Sequence, residues 1–146
     1  MDIRTMLIED YQEVYQLWSG TAGMGLNSID DNREGIERYL NRNPRTCLVA
    51  TSQNRIIGAI LSGHDGRRGF IYHTAVSEAE QRQGTGSALV AAALAALSDE
   101  GITKVALVVF AGNAKGNRFW EKNGFSQRED LVYRNAALRE SVRLDT

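Results

Sequence analysis

Cysteine is almost missing from this sequence. The single example, Cys47, excludes an internal disulfide and any cysteine-based metal cluster. It lies in the apolar run Cys47-Leu48-Val49-Ala50 and reads as a buried structural thiol rather than a reactive one. Proline also occurs once, at Pro44, and the glycines are spread evenly, so nothing marks a disordered linker or a second domain. One domain over residues 1–146 is expected, long enough for a single sizeable core. An excess of either charge is lacking as well. The 17 basic and 18 acidic side chains nearly cancel, so no bulk field would draw in nucleic acid or an anionic membrane. No apolar run reaches membrane length, and no signal-peptide or lipidation pattern is present, so cytoplasmic residence is the expectation.

What is present alternates between two hydrophobic periods. Ile3 to Met6 reads as a strand, and Glu9 to Ser19 as a helix with Tyr11, Val14, Tyr15 and Trp18 at helical spacing. Gly20 to Gly25 breaks that helix into a loop. A second helix runs from Asp30 to Arg42, with Ile36, Tyr39 and Leu40 on one face, and stops at Asn43-Pro44. Strands follow at Thr46 to Thr51, Ile56 to Ser62 and Phe70 to Val76, joined by the turn Ser52 to Arg55 and by a connection carrying Asp65-Gly66. An alanine-rich helix from Ser87 to Glu100 ends at Gly101. Lys104 to Phe110 reads as a strand buried on both faces, Asn113 to Asn123 as a helix closed by Gly124, and Phe125 to Tyr133 as one or two last strands. No internal repeat or low-complexity tract appears.

The stretch Gln81-Arg82-Gln83-Gly84-Thr85-Gly86 carries the most chemistry. It links a strand to a helix, its two glycines let backbone approach a ligand, and free N–H groups at a helix start favour an anion, usually a phosphate. A dinucleotide fingerprint is disfavoured, because Leu89 stands where a third small residue is needed and no acid ends the Lys104 to Phe110 strand. No Gly-Lys-Ser/Thr occurs, which excludes a P-loop. The bland alternative is a strand-to-helix turn without a ligand.

Two motifs together resemble the GCN5-related N-acetyltransferase family over nearly the whole chain. One is Val76 followed by Gln81-x-x-Gly84-x-Gly86. The other is Asn113 with Phe119-Trp120-Glu121-Lys122-Asn123-Gly124-Phe125. The resemblance implies an α/β (α+β) acyl-CoA N-acyltransferase fold: a central, mostly antiparallel mixed sheet flanked by helices and splayed between the fourth and fifth strands. It further implies acetyl-CoA as cofactor and direct attack of a primary amine on the thioester. In that reading the backbone of Thr74, Ala75 and Val76 pairs with the pantetheine arm by strand addition. The N–H groups of Gln81, Arg82, Gln83, Gly84, Thr85, Gly86 and Ser87 hold the pyrophosphate, while Asn113, Gly116 and Trp120 form the opposite wall. A backbone N–H of the Phe70 to Val76 strand would stabilise the oxyanion, a contribution of ~3 kcal/mol.

The sequence departs from the family at two catalytic positions. Trp120 stands where many members carry a tyrosine acid, and an indole N–H gives up no proton at neutral pH. Phe70 stands near the place of a glutamate base in one branch. A missing acid or base costs ~10²–10⁴-fold rather than everything. The replacement candidates are Tyr72, His73 and Tyr133. Core packing is the preferred reading for Tyr72 and Tyr133, whereas for His73 packing and proton transfer stand level. Strand alternation is expected to turn Tyr72 and His73 to opposite faces. His64, beside a hairpin turn, reads as merely solvated.

The acceptor side is less legible. Asp30, Glu34 and Glu37 share a helical face that would attract a cationic amine, although such faces are usually only solvated. Arg67 and Arg68 would meet an acidic substrate or nothing. A small-molecule or peptide amine is the implied partner, no metal is implied, and the family leaves a homodimer open. A second reading keeps the cofactor but drops the turnover: a CoA-binding sensor or assembly module.

Overall fold

Gln53 and Asn54 both adopt left-handed backbone, with φ of 51° and 62°. Two positive values in a row are what a two-residue hairpin turn needs to match the twist of its strands. They join β2 (Leu48–Ser52) to β3 (Arg55–His64), with Ser52 opposite Arg55. A computed structural model describes residues 1–145 of the protein. β1 (Asp2–Thr5) pairs antiparallel with β2, β3 pairs antiparallel with β4 (Gly69–Val76), and β4 pairs parallel with β5 (Val105–Ala106). The result is a five-stranded mixed sheet in the order β1-β2-β3-β4-β5.

Strand alternation divides the apolar side chains between two layers. Val49, Ala59 and Leu61 face α1 (Tyr11–Ser19) and α2 (Arg33–Arg42), packing on Val14, Trp18, Ile36 and Leu40. Leu48, Ala50, Ile57, Ile60 and Ile71 face α3 (Thr85–Asp99), meeting Leu89, Val90 and Ala93. α4 (Ala114–Lys122) lies on this second side, where Phe119 and Trp120 pack at the margin of the core.

Helix starts differ from the sequence expectation for local reasons. Residues Ile8–Asp10 form a 3-10 turn, so α1 begins at Tyr11. The Asn32 side chain accepts the Gly35 N–H at 2.8 Å and caps α2, which therefore starts at Arg33 rather than Asp30. Gly84, left-handed at φ 84°, lets α3 begin at Thr85, two residues before the expected start at Ser87.

The largest departures lie beyond α3. The strand expected over Lys104 to Phe110 shrinks to β5 and is not buried on both faces: Val108 is 56% and Phe110 49% exposed. Only Gly69–Val105 and Phe70–Ala106 are in register between β4 and β5, after which the two chains diverge and no ladder holds the rest. The expected strands of Phe125 to Tyr133 do not form, and Leu131, Val132 and Tyr133 are exposed. Instead the chain returns to the loop before α2. Asn27 forms an isolated antiparallel bridge with Arg143, flanked by Ser28 N–H to Val142 C=O and Leu144 N–H to Leu26 C=O, both 3.0 Å.

Candidate active site

The segment leading into α3 leaves its donors free. Ala88 donates the first helical bond, to Gly84 C=O at 2.9 Å. The N–H groups of Arg82 to Ser87 have no acceptor among the described residues. Arg82, like Gly84, is left-handed, at φ 65°, so the chain coils tightly here. The two glycines serve different ends. A Cβ on Gly84 would meet nothing within 4 Å, whereas one on Gly86 would stand 3.0 Å from the Phe119 ring. Gly84 therefore permits the turn, and Gly86 admits α4. Gln81 differs from its neighbours. Its N–H bonds to Glu78 C=O, its side-chain amide donates to Val76 C=O at 3.1 Å, and its carbonyl accepts from Lys115 Nζ at 2.8 Å.

The divergence of β4 from β5 leaves the outer edge of β4 unpaired beyond its first residues. Gly69 N–H reaches outward to Lys104 C=O, and Ser77 N–H turns inward to Ile57 C=O. Alternation from these two ends points the main-chain groups of Ile71, Thr74 and Val76 into the splay and those of Ala75 toward β3. Thr74 Oγ1 is buried there without a partner. On the far wall Asn113 Oδ1 caps α4 by accepting Gly116 N–H at 2.9 Å, and a Cβ at 116 would lie 2.5 Å from Asn113 Nδ2, so a larger residue there would displace the capping side chain. Trp120 stands edge-on between Phe119 and Phe125, with centroids 5.0 and 5.2 Å away.

A single cleft of about 1370 Å3 runs from this cradle to the loop Gly20–Gly25. It brings together Tyr72, His73, Tyr133, the β4 edge, the cradle, Asn113, Gly116 and Trp120. Of the residues expected from sequence to bind the cofactor or act in catalysis, exposed Gln83 alone is not on its wall.

Tyr72 and His73 do not alternate faces. Ile60 opposes Thr74 and Ser62 opposes Ile71, so Leu61 faces two residues, and this bulge turns both side chains to the α1/α2 side. Tyr72 packs on Phe70 and Tyr39, with centroids 4.7 and 5.7 Å away. Burial, together with Tyr133 and Asp30 nearby, raises its phenol above the usual range, so it stays protonated at neutral pH. His73 is buried edge-on against Trp18, centroids 4.9 Å apart, and its Nε2 lies 2.6 Å from Asp31 Oδ1. Tyr133 is 66% exposed at the cleft margin.

Residues 6–125 match the acetyltransferase (GNAT) family. This chain belongs to that family. It is 30% identical to an acetyltransferase of Sodalis glossinidius over 90% of this chain and 92% of that one. A Photorhabdus laumondii acetyltransferase is 32% identical, over 91% of this chain and 93% of its own. Among solved structures, Ard1 from Thermoplasma volcanium superposes with a TM-score of 0.76 at 25% identity, covering 86% of this chain and 82% of that one. The chain is thus an N-acetyltransferase of the GNAT type, and acetyl-CoA is its acetyl donor. A CoA-binding module without turnover is not favoured by relatives that are named acetyltransferases.

The residues of this acetyltransferase fit that donor. A diphosphate needs N–H groups that lack acceptors, and the cradle supplies them; an amide-bearing arm needs an open strand edge, and β4 supplies it. Asp31 and Lys115 were not legible in the sequence: the first is 42 residues from its histidine, and the second reaches Gln81 only because α4 packs beside the cradle. The acidic face expected to meet an amine is dispersed, since Asp30 precedes α2 and accepts from Asn27 Nδ2 at 3.0 Å while Glu34 and Glu37 are exposed. His64 is not merely solvated: Nε2 lies 2.9 Å from Glu100, and Nδ1 accepts the Gly66 N–H at 2.9 Å. No helix among the described residues is long and apolar enough to cross a membrane.

Proposed function

We propose that this acetyltransferase passes the acetyl group of acetyl-CoA directly to a primary amine, with donor and acceptor bound together in one cleft. The observation that carries this reading is the continuity of the cleft from the free N–H groups of Arg82–Ser87 to His73 and Tyr72. In this reading the cradle and Arg82 hold the diphosphate, and the outward groups of Thr74 and Val76 align the pantetheine arm. Asn113 Nδ2 hydrogen-bonds the cofactor, and Gly116 and Trp120 line its other side. The acceptor, a small-molecule or peptide amine, enters beside Gly20–Gly25.

His73 takes the proton from the ammonium. The freed amine attacks the carbonyl; the C–N bond forms, the C–S bond breaks with its electron pair on sulfur, and the second proton of the attacking nitrogen is released as the thiolate takes one up. A thiol of pKa ~8.5 departs without a strong acid, which makes an indole at Trp120 tolerable. Tyr72 and Tyr133 are the phenols near enough to the cleft to return a proton to sulfur. Holding amine and thioester together is the larger contribution. We place this activity in one cytoplasmic domain, with a homodimer open to test by sedimentation.

Titration calorimetry with CoA and acetyl-CoA, followed by thiol release across a panel of primary amines, tests the reading. Binding with amine-dependent thiol release supports it. Folded protein that takes up neither ligand overturns the cradle assignment. Uptake without release toward any amine restores the module without turnover.

A further inference from the structure

We propose that Asp31 is a positioning residue for the transfer. It fixes His73 as the tautomer with hydrogen on Nε2 and so leaves Nδ1 bare toward the acceptor amine. The proposal rests on the reading of His73 as proton acceptor and adds the group that makes it one.

Asp31 is 3% exposed. A buried carboxylate needs donors around it, and Asp31 has two: Asn27 N–H reaches Oδ2 at 2.8 Å, and His73 Nε2 reaches Oδ1 at 2.6 Å. Its own main chain is held as well, because the Tyr11 hydroxyl donates to Asp31 C=O at 2.7 Å. A carboxylate only accepts, so the hydrogen of that short contact belongs to Nε2. The lone pair of the neutral ring then lies on Nδ1. Nδ1 has no hydrogen-bond partner among the described residues, yet it is not one of the fully enclosed unpartnered side-chain atoms, which are Trp18 Nε1 and Thr74 Oγ1. It therefore keeps contact with the cleft that His73 lines. The T-shaped stack on Trp18 holds the ring plane. When Nδ1 accepts, an N–H bond of the ammonium breaks and its electron pair stays on the amine nitrogen. The imidazolium so formed faces Asp31, and its proton later returns to solvent in the cleft.

The same donors say what Asp31→Asn would do. Asn27 N–H still requires an acceptor, so the new amide turns its oxygen there and presents NH2 to His73 Nε2. The ring hydrogen is driven to Nδ1, and the base is lost.

Long-range 1H–15N spectra of wild type and Asp31→Asn, together with steady-state kinetics, test the proposal. Wild type should show an unprotonated Nδ1 in the neutral ring, and the variant a protonated one. The variant's kcat should fall by ~10²-fold or more, while its KM for acetyl-CoA and its calorimetric CoA affinity stay at the wild-type level. A hydrogen on Nδ1 of neutral wild-type His73, or wild-type kcat in Asp31→Asn, overturns the proposal. If the variant does not fold, the wild-type spectrum decides alone. Because the spectrum needs no turnover, a silent amine panel would count against the transfer reading and not against the tautomer.

Discussion

Gly86 lies against Phe119, so closely that a Cβ on the glycine would stand 3.0 and 3.1 Å from two ring carbons. That ring is itself stacked on Trp120, so it has little room to yield. Gly86→Ala should therefore lower stability by about 1–3 kcal/mol, visible as a reduced urea midpoint. Gly84 has open space around it. Gly84→Asp should lose most CoA affinity, because it sets a carboxylate among the donors proposed to hold phosphate, and should cost about 1–2 kcal/mol for its left-handed backbone. Calorimetry and denaturation of both variants would separate the packing glycine from the turn glycine. Equal loss of binding in both, with equal stability, would contradict the division.

Trp120→Tyr places a phenol on the wall where the indole cannot give up a proton to sulfur. The smaller ring loosens the contacts to Phe119 and Phe125, a loss of about 1 kcal/mol for a half-buried site. CoA affinity should stay near wild type and kcat should rise. A variant that binds normally but turns over no faster would show that leaving-group protonation does not limit the reaction.

Residues Val142–Asp145 grip the loop that orients Asp31. Asp145 Oδ1 accepts Leu26 N–H at 2.7 Å, and the Ser28 hydroxyl accepts Val142 N–H at 2.9 Å. Removing the residues after Ser141 frees Asn27 and, through it, Asp31. The shortened protein should bind CoA as before and lose kcat, by roughly tenfold for a weakened base. Unchanged kcat would mean that the loop holds its shape unaided.

Cys47 is fully buried, and burial pushes its thiol up to about 12. At mildly alkaline pH it stays protonated and out of reach, so iodoacetamide should label it only as fast as the protein unfolds. Rapid labelling of native protein would refute this.

Arg4 binds both carboxylate oxygens of Asp10, at 2.7 and 2.9 Å, and Leu7 N–H adds a third donor at 2.8 Å. The Arg4 hydrogen bonds chiefly, with the Leu7 N–H, hold the Asp10 pKa below its ordinary 3.8. A lowered carboxylate pKa contributes stability that is complete above the unfolded value and disappears as pH falls through the folded one. Asp10→Asn should cost up to about 1 kcal/mol at neutral pH, as a partly solvated pair, and nothing in strong acid. Urea midpoints of the two proteins should converge as pH drops; a constant gap would exclude ionisation as the cause.

The elements through α3, and α4 after them, were legible because each is fixed by short-range rules, whereas the strand expected between them shrank to β5. Asp65 side-chain bonds to Arg67 and Arg68 N–H, both 2.8 Å, make the β3–β4 turn, and Asn113 caps α4 from three residues away. The last strands were misread because Leu131-Val132-Tyr133 has the right composition, while a strand also needs an edge to pair with, and β5 diverges before it can offer one. The bulge opposite Leu61 was illegible for a related reason: a register shift belongs to two strands and leaves no mark on one.

By itself the sequence determined where a helix start leaves its N–H groups free for an anion, since a left-handed glycine there acts through its own neighbours along the chain. Only the tertiary structure singled out the side chain we propose as the proton acceptor. That depends on Asp31 meeting His73 across 42 residues of chain and on a bulge that turns the histidine toward it, and neither is a property of local spacing.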